Sequence, residues 1–315
     1  MPEYSVIPIH GIGEVAPGTK LSELVELGRP QPGDIVLITS KIVSKSQGRI
    51  STQERAEAIA SETKRIVAQR NGTTITENHL GLTMAASGVD SSNVAPDSVL
   101  LLPEDPDRTA RQIRAALTVN VGVVITDTAG RPWRNGQTDI AIGVAGIPPL
   151  LSFTGVADNH GNQLAVTAPA IADELASAAE LATGKLGWAP IALVRGLAEY
   201  VLERGLDGPG ARELIRDRSA DMFALGTREA VMAALTNTQL DCFGAPASSE
   251  EVLSALESIG VQATPGQVGW QLPSIDQGTL AGVRLVATAH SWSLVEDSST
   301  DPPQRLELVP YTSTP

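Results

Sequence analysis

The stretch Val123–Asp139 joins an apolar, β-branched run to a carboxylate, a hydroxyl, a glycine turn, two arginines and a second carboxylate. A rigid strand that ends in such a turn delivers polar groups to a ligand. Asp127 and Thr128 offer hard oxygens to a divalent cation, whereas Arg131 and Arg134 offer planar forks to phosphate or carboxylate. The combination points to metal-assisted chemistry on an anionic substrate, with Asp127, Arg131 and Arg134 as catalytic candidates. The competing reading makes the arginines structural partners of Asp139 or a neighbour.

Other segments carry weaker signals. Thr39–Arg49 leaves a strand end with two lysines, an arginine and several hydroxyls, which suits either phosphate binding or a solvated basic loop. Ala85–Asn93 is a small-residue turn in which Asp90 is a candidate metal ligand and Asn93 a ligand contact; taken alone, an Asx-turn is the commoner explanation of such a segment. His10–Ala16 matches a dinucleotide fingerprint in letters, but Pro17-Gly18 stops the helix that the fingerprint must open. Ala179–Leu186 lacks the first glycine and the final hydroxyl of a P-loop, so Gly184 reads as a helix cap and Lys185 as a complement to the helix end. His79 has no second histidine at zinc-site spacing, and no serine elbow or cysteine–histidine pair suggests covalent catalysis.

The elements that must position these groups alternate irregularly. Strands are expected at 4–9, 34–39, 73–76, 98–102, 121–126, 139–144, 163–167 and 190–194, and helices at 52–69, 107–117, 170–182 and 211–217. The strands between 121 and 167 follow one another too closely for crossover helices, so they pair antiparallel and the fold class is α+β. Residues 155–162 form the turn between two of them. Beyond Asn237 the pattern predicts a helix at 248–259, strands at 282–289 and 305–309, a loose linker at 298–304 and a frayed end at 311–315.

The chain has 315 residues and a formal charge of −13. That charge argues against nucleic-acid affinity, and no apolar run reaches the roughly 18 residues of a membrane span. One cysteine, Cys242, excludes an intrachain disulfide and a thiolate cluster, and the start shows no signal peptide, so a cytoplasmic protein is expected. Residues 236–315 hold two bases against nine acids, whereas 1–235 hold 21 against 27. The expected division is therefore a main domain at 1–235 and a small acidic accessory domain or tail at 236–315.

Taken in order, Val36–Lys45, Ile75–Asn78, Ala86–Asn93, Leu101–Pro103, Asp105–Asp107, Ile125–Gln137, Ala172–Leu175 and Val194–Gly196 resemble the coenzyme F420:L-glutamate ligase family over residues 4–230. The resemblance implies a two-lobed α+β ligase fold of mixed and antiparallel sheets with flanking helices, in an intertwined homodimer. It implies GTP-dependent joining of L-glutamate to the deazaflavin coenzyme F420-0, and then to F420-1, through an acyl phosphate, with Mg2+ or Mn2+ and in some members a monovalent cation such as K+. By the same resemblance Asp90, Asp127 and Thr128 are metal ligands, and Ile12, Gly13, Glu14, Val15, Ser40, Lys45 and Asn93 contact GTP. Gly13 stands where the family's loop carries proline, and Asn159-His160 where it often carries Pro-Tyr. About 80 residues after Asn237 are too few for the flavin domain of some relatives, so no FMN is expected. The alternatives are a non-catalytic GTP-binding regulatory protein and an amino-acid ligase acting on a different carboxylate.

Overall fold

Ile35–Thr39 (β2) is buried on both faces: Ile35 and Leu37 pack to one side of a sheet, Val36 and Ile38 to the other. The computed structural model describes residues 3–266, 268–296 and 306–311. It divides the chain into two compact units, 1–216 and 217–315. The sequence expectation set its boundary at 235/236; the helix Thr227–Thr236 packs within the second unit.

In the first unit the elements run β1 (Ser5–Pro8), α1 (Leu21–Glu26), β2, α2 (Ser40–Ser46), β3 (Ile50–Ser51), α3 (Arg55–Glu62), β4 (Thr63–Arg70), β5 (Thr73–Asn78), β6 (Thr83–Ala85) and β7 (Val99–Leu100). They continue with α4 (Pro106–Ala116), β8 (Gly122–Gly130), β9 (Gln137–Ala145), α5 (Ile171–Thr183) and β10 (Ile191–Arg195). The main sheet has the order β1-β10-β2-β8-β9. Only β2 and β8 are parallel, with Thr39 opposite Thr126, so both strands finish side by side. α4 packs on the face carrying Val36, Ile38, Val123 and Ile125, and α5 on the face carrying Ile35, Leu37, Val124 and Val144. A second, antiparallel sheet β4-β5-β6 and the short pair β3-β7 complete the unit.

The second unit has its own core. After α6 (Thr227–Thr236) come α7 (Ser249–Ser258), β11 (Thr264–Pro265), β12 (Trp270–Leu272), α8 (Gln277–Ala289), β13 (Trp292–Glu296) and β14 (Leu306–Pro310). Its antiparallel sheet has the order β11-β12-β14-β13. Val252, Leu256, Val283, Trp292 and Leu308 are buried together in it.

The mixed α+β architecture is the one the sequence implied, but several elements differ. The helix expected over 52–69 ends at Glu62, and β4 takes over as Thr63, Ile66 and Ala68 pair along β5. Asn71 and Gly72, with φ of 48° and 78°, close that hairpin as a two-residue turn. The basic segment after β2 is the helix α2, not a loop. The strand expected at 163–167 joins no sheet; it folds back along 151–157 through bonds such as Phe153 N to Thr167 O at 2.9 Å. The helix at 211–217 shrinks to a single turn, Ala211–Leu214. The strand at 282–289 belongs to α8, whose start is capped by the Asp276 carboxylate accepting from Gly278 N at 2.8 Å and Thr279 N at 3.1 Å. The linker at 298–304 and the end beyond Tyr311 lie outside the described residues.

Candidate functional site

The parallel ends of β2 and β8 bring Ser40 and Asp127 together across 87 residues of chain, and Ser40 Oγ donates to Asp127 Oδ1 at 2.6 Å. One strand position further, Thr128 Oγ1 donates to Asp139 Oδ1 at 2.8 Å, and Thr126 Oγ1 donates to Asp139 Oδ2 at 3.2 Å. Asp139 is buried on β9, so it holds both hydroxyls of β8 in place. Lys185 Nζ donates to Thr128 Oγ1 at 3.0 Å.

These groups border a cavity of about 720 Å³. The N-terminal loop supplies Ile12, Gly13, Glu14 and Val15; α2 supplies Lys41 and Lys45; the turn after β6 supplies Asn93; and α5 with its following loop supplies Glu180, Lys185 and Trp188. Lys45 is buried and donates to Glu14 Oε1 at 2.5 Å. Lys41 donates to Asp90 Oδ2. Asp90 also accepts from Ser92 N at 2.8 Å, so the Asx-turn reading of this segment and its place beside the cavity are both realised.

A strained turn fixes Asp90. Ala86 and Ser87 adopt φ of 52° and 55°, a conformation that non-glycine residues seldom hold without support. The support comes from the Ser87 hydroxyl, which shares hydrogen bonds of 2.7 Å with both Thr63 and Thr76. Asp90 then exchanges backbone bonds with Leu100, at 3.0 and 2.7 Å.

Crowding shifts the charges. Burial, reinforced by the neighbouring Asp139 charge, raises the Asp127 carboxyl to about 6, against the opposing pull of Ser40, Lys41 and Lys185. Burial lowers the Lys41 ammonium, partly offset by Asp127. Glu180 is raised by burial and then by Asp139. Several carboxylates and lysines thus face one concavity, the arrangement of a site that handles charged ligands.

The expected residues fall into three groups. Ile12, Gly13, Glu14, Val15, Lys45, Asn93 and Thr128 line the cavity. Ser40 and Asp127 are bonded to each other at its edge, and Asp90 reaches it through Lys41. Arg131 and Arg134 lie in the exposed turn between β8 and β9, away from that lining, with Arg131 Nη2 donating to Asn135 O at 2.7 Å. Their structural partner is not Asp139, whose oxygens are taken by the threonines. Glu180, Lys185 and Trp188 were missed. Gly184 caps α5 as the sequence implies, its N–H bonding Glu180 O at 2.9 Å, yet Lys185 turns to Thr128.

The donor set also bears on a metal. Among the described residues no group of three or more His, Cys, Asp or Glu side chains is arranged to hold one. The expected set has two carboxylates and a hydroxyl, hard oxygens that suit Mg2+ or Mn2+.

The model of the family described as F420-0:Gamma-glutamyl ligase matches residues 51–196. A coenzyme F420:L-glutamate ligase of Methanopyrus kandleri is 38% identical in an alignment of 250 residues that covers 71% of this chain and 98% of that protein. The chain belongs to the F420-0:gamma-glutamyl ligase family. Ligases of the same description from Haloarcula marismortui and Halobacterium salinarum are 35% and 32% identical over 255 and 246 residues. Those matches span 71% and 68% of this chain and 97% of each relative. The family model covers Asp90, Asn93, Asp127, Thr128, Asp139 and Lys185, whereas the 12–15 loop and α2 precede it. No helix among the described residues is long and apolar enough to cross a membrane.

Proposed function

We propose that the protein joins L-glutamate to the terminal carboxylate of coenzyme F420-0, and then to F420-1, with GTP as the phosphoryl donor. The γ-phosphoryl group passes to the carboxylate, giving an acyl phosphate and GDP. The glutamate amine then attacks the acyl carbon; the C–N bond forms, the C–O bond to phosphate breaks, and phosphate and the amine proton leave. The observation that carries this reading is the convergence of Lys41, Lys45 and Lys185 with Asp127, Asp139 and two threonine hydroxyls around one cavity, in a chain of this family.

Two anions cannot approach one another until their repulsion is neutralised, and the lysines supply that neutralisation from two separate parts of the chain, Lys41 and Lys45 from α2 and Lys185 from the loop after α5. Asp139 keeps the Thr128 hydroxyl turned toward the site, and Ser40 orients Asp127. Asp90, Asp127 and Thr128 would hold Mg2+ or Mn2+, which supplies charge neutralisation to the phosphates. For that, Asp90 must exchange its present lysine partner. Ile12, Gly13, Glu14, Val15, Ser40, Lys45 and Asn93 are the proposed nucleotide contacts. Arg131 and Arg134 remain candidates for the acyl phosphate or the substrate phosphodiester. A homodimer is the assembly proposed with this reading.

The test is the folded protein with F420-0, L-glutamate, GTP and Mn2+ or Mg2+, read by glutamylated product and glutamate-dependent GDP release. Both are expected; absence of both overturns the reading. Asp127→Asn, which weakens a metal-binding carboxylate while leaving an acceptor for Ser40, is expected to lower kcat by about two orders of magnitude or more. Metal-dependent GTP binding without turnover on any carboxylate indicates a regulatory protein instead.

A further inference from the structure

The sheet of the second unit has two unlike edges. β11 ends it with two residues, Thr264-Pro265, and a proline cannot donate to a further strand. β13 ends it with five, Trp-Ser-Leu-Val-Glu, paired to β14 without a register shift. That strand holds neither proline nor lysine, and no lysine follows Lys185 in the chain. Short length, proline, lysine and bulges are the usual guards of an edge against another strand, and β13 has none of them.

The register fixes which backbone groups turn outward. Tyr311 N donates to Ser291 O at 2.9 Å, and antiparallel partners alternate between bonded and unbonded pairs. Ser293 and Val295 therefore bond to β14, whereas Trp292, Leu294 and Glu296 turn their N–H and C=O groups away from it. The start of this edge is closed: His290 O accepts from Ala247 N at 2.9 Å, and Trp292 Nε1 donates to Ala247 O at 2.9 Å. Among the described residues nothing bonds the N–H or the carbonyl of Leu294. Trp292 and Leu294 pack toward the core, so the alternation sends Val295 to the opposite face, where it is 53% exposed.

We propose that β13 pairs antiparallel with β13 of a second copy of this chain, about a two-fold axis at Val295. The occupant must be an extended strand with its own free edge in matching alternation, and β13 meets that requirement itself. In this register each Leu294 N–H meets the Glu296 carbonyl of the other copy, and each Glu296 N–H meets a Leu294 carbonyl. The two Val295 residues become the close unbonded pair, with Cα atoms about 4.5 Å apart. A register centred on Leu294 would instead need the outward groups of Trp292, where Ala247 already lies. Residues 217–315 hold four bases against twelve acids, so two copies repel at low salt and pair when salt screens them. The contact goes beyond the ligase reading and does not depend on it.

The test uses the full-length chain in added salt, with Cys242→Ser removing its one native thiol. Val295→Cys sets two thiols at disulfide distance across the axis. Gln271→Cys, on the same face but two strands further in, sets them far apart. Mild oxidation is expected to give covalent dimer about tenfold faster from Val295→Cys than from Gln271→Cys. In the wild type the Leu294 amide is expected to exchange about tenfold more slowly in concentrated than in dilute protein. Val295→Lys sets two ammonium groups face to face and is expected to abolish that difference. Val295 is exposed, so its variants keep the wild-type thermal denaturation; if one does not, the wild-type exchange series decides alone. Equal crosslinking from the two cysteines overturns the pairing. So does a Leu294 amide that is fast at every concentration, which leaves the edge to a different protein. An amide that is slow at every concentration means that the chain covers its own edge, and overturns it as well.

Discussion

Asp173 shows how a carboxylate can be structural and costly together. Its Oδ1 accepts from Ala141 N at 2.8 Å, tying the first turn of α5 to β9, and burial raises its pKa despite that bond. Ionisation is thus harder in the folded chain than in the unfolded one. The folded protein is favoured while the group is protonated, and stability is lost as the pH rises from the ordinary carboxylate range through the raised folded value. Asp173→Asn keeps the acceptor and removes the ionisation. It is expected to match the wild type in thermal denaturation at acidic pH and to melt higher at neutral pH; a lower melting temperature at neutral pH would falsify this. At this scale the Asp127 strand end was legible because a β-branched run stops at hard oxygens within one local stretch. Lys185 was not, because its partner Thr128 is 57 residues away and only the fold brings them together.

Elements are held by a few polar residues that sequence periodicity cannot single out. Arg114 on α4 is buried and donates to Val121 O at 2.8 Å, Leu206 O at 2.8 Å, Leu202 O at 3.0 Å and Glu203 O at 3.1 Å. It also meets Asp207 Oδ1 at 2.7 Å and Asn120 Oδ1 at 2.9 Å. Gly146, with φ of 74°, leaves the space that the guanidinium fills, since a Cβ there would lie 2.2 Å from Nε. One side chain thereby fastens α4, the entry to β8 and the 202–207 segment. Arg114→Ala is expected to cost about 3 kcal/mol or more, measured by denaturant unfolding, because the carbonyls and Asp207 lose their partner. Arg114→Lys cannot reproduce the planar set of donors and is not expected to rescue it. Helix α4 itself was readable from the proline before Asp107, although the helix begins one residue earlier, at Pro106, with Asp105 Oδ1 as its cap accepting from Arg108 N at 2.8 Å. The α3–β4 junction was hidden by continuous helical spacing; its signal was the Asn71-Gly72 turn downstream. α8 was misread because its apolar residues look like a short strand unless the Asp276 cap is weighed.

On the scale of the whole molecule, the charge contrast along the sequence pointed to an added C-terminal part, and two separate cores exist. The cavity residues all fall between Ile12 and Ala192, inside the first unit. Relatives matched over 97–98% of their own length account for only 68–71% of this chain. The second unit is therefore expected to add something other than the ligase chemistry. A full-length Val283→Asp chain tests this directly. Val283 is fully buried among Val252, Leu256 and Leu308, and an unpaired carboxylate there costs several kcal/mol, on the order of a small unit's entire stability. Among the described residues, that core is built from residues of the second unit. Calorimetry should show loss or a large downward shift of one transition with the other intact. Under the proposed reading, glutamylation of F420-0 should stay within about twofold of the wild type, since the charged groups lining the cavity all come from the first unit. A fall in turnover of tenfold or more at an intact first transition, on the order of 1.4 kcal/mol in the barrier, would place the second unit in the catalytic cycle.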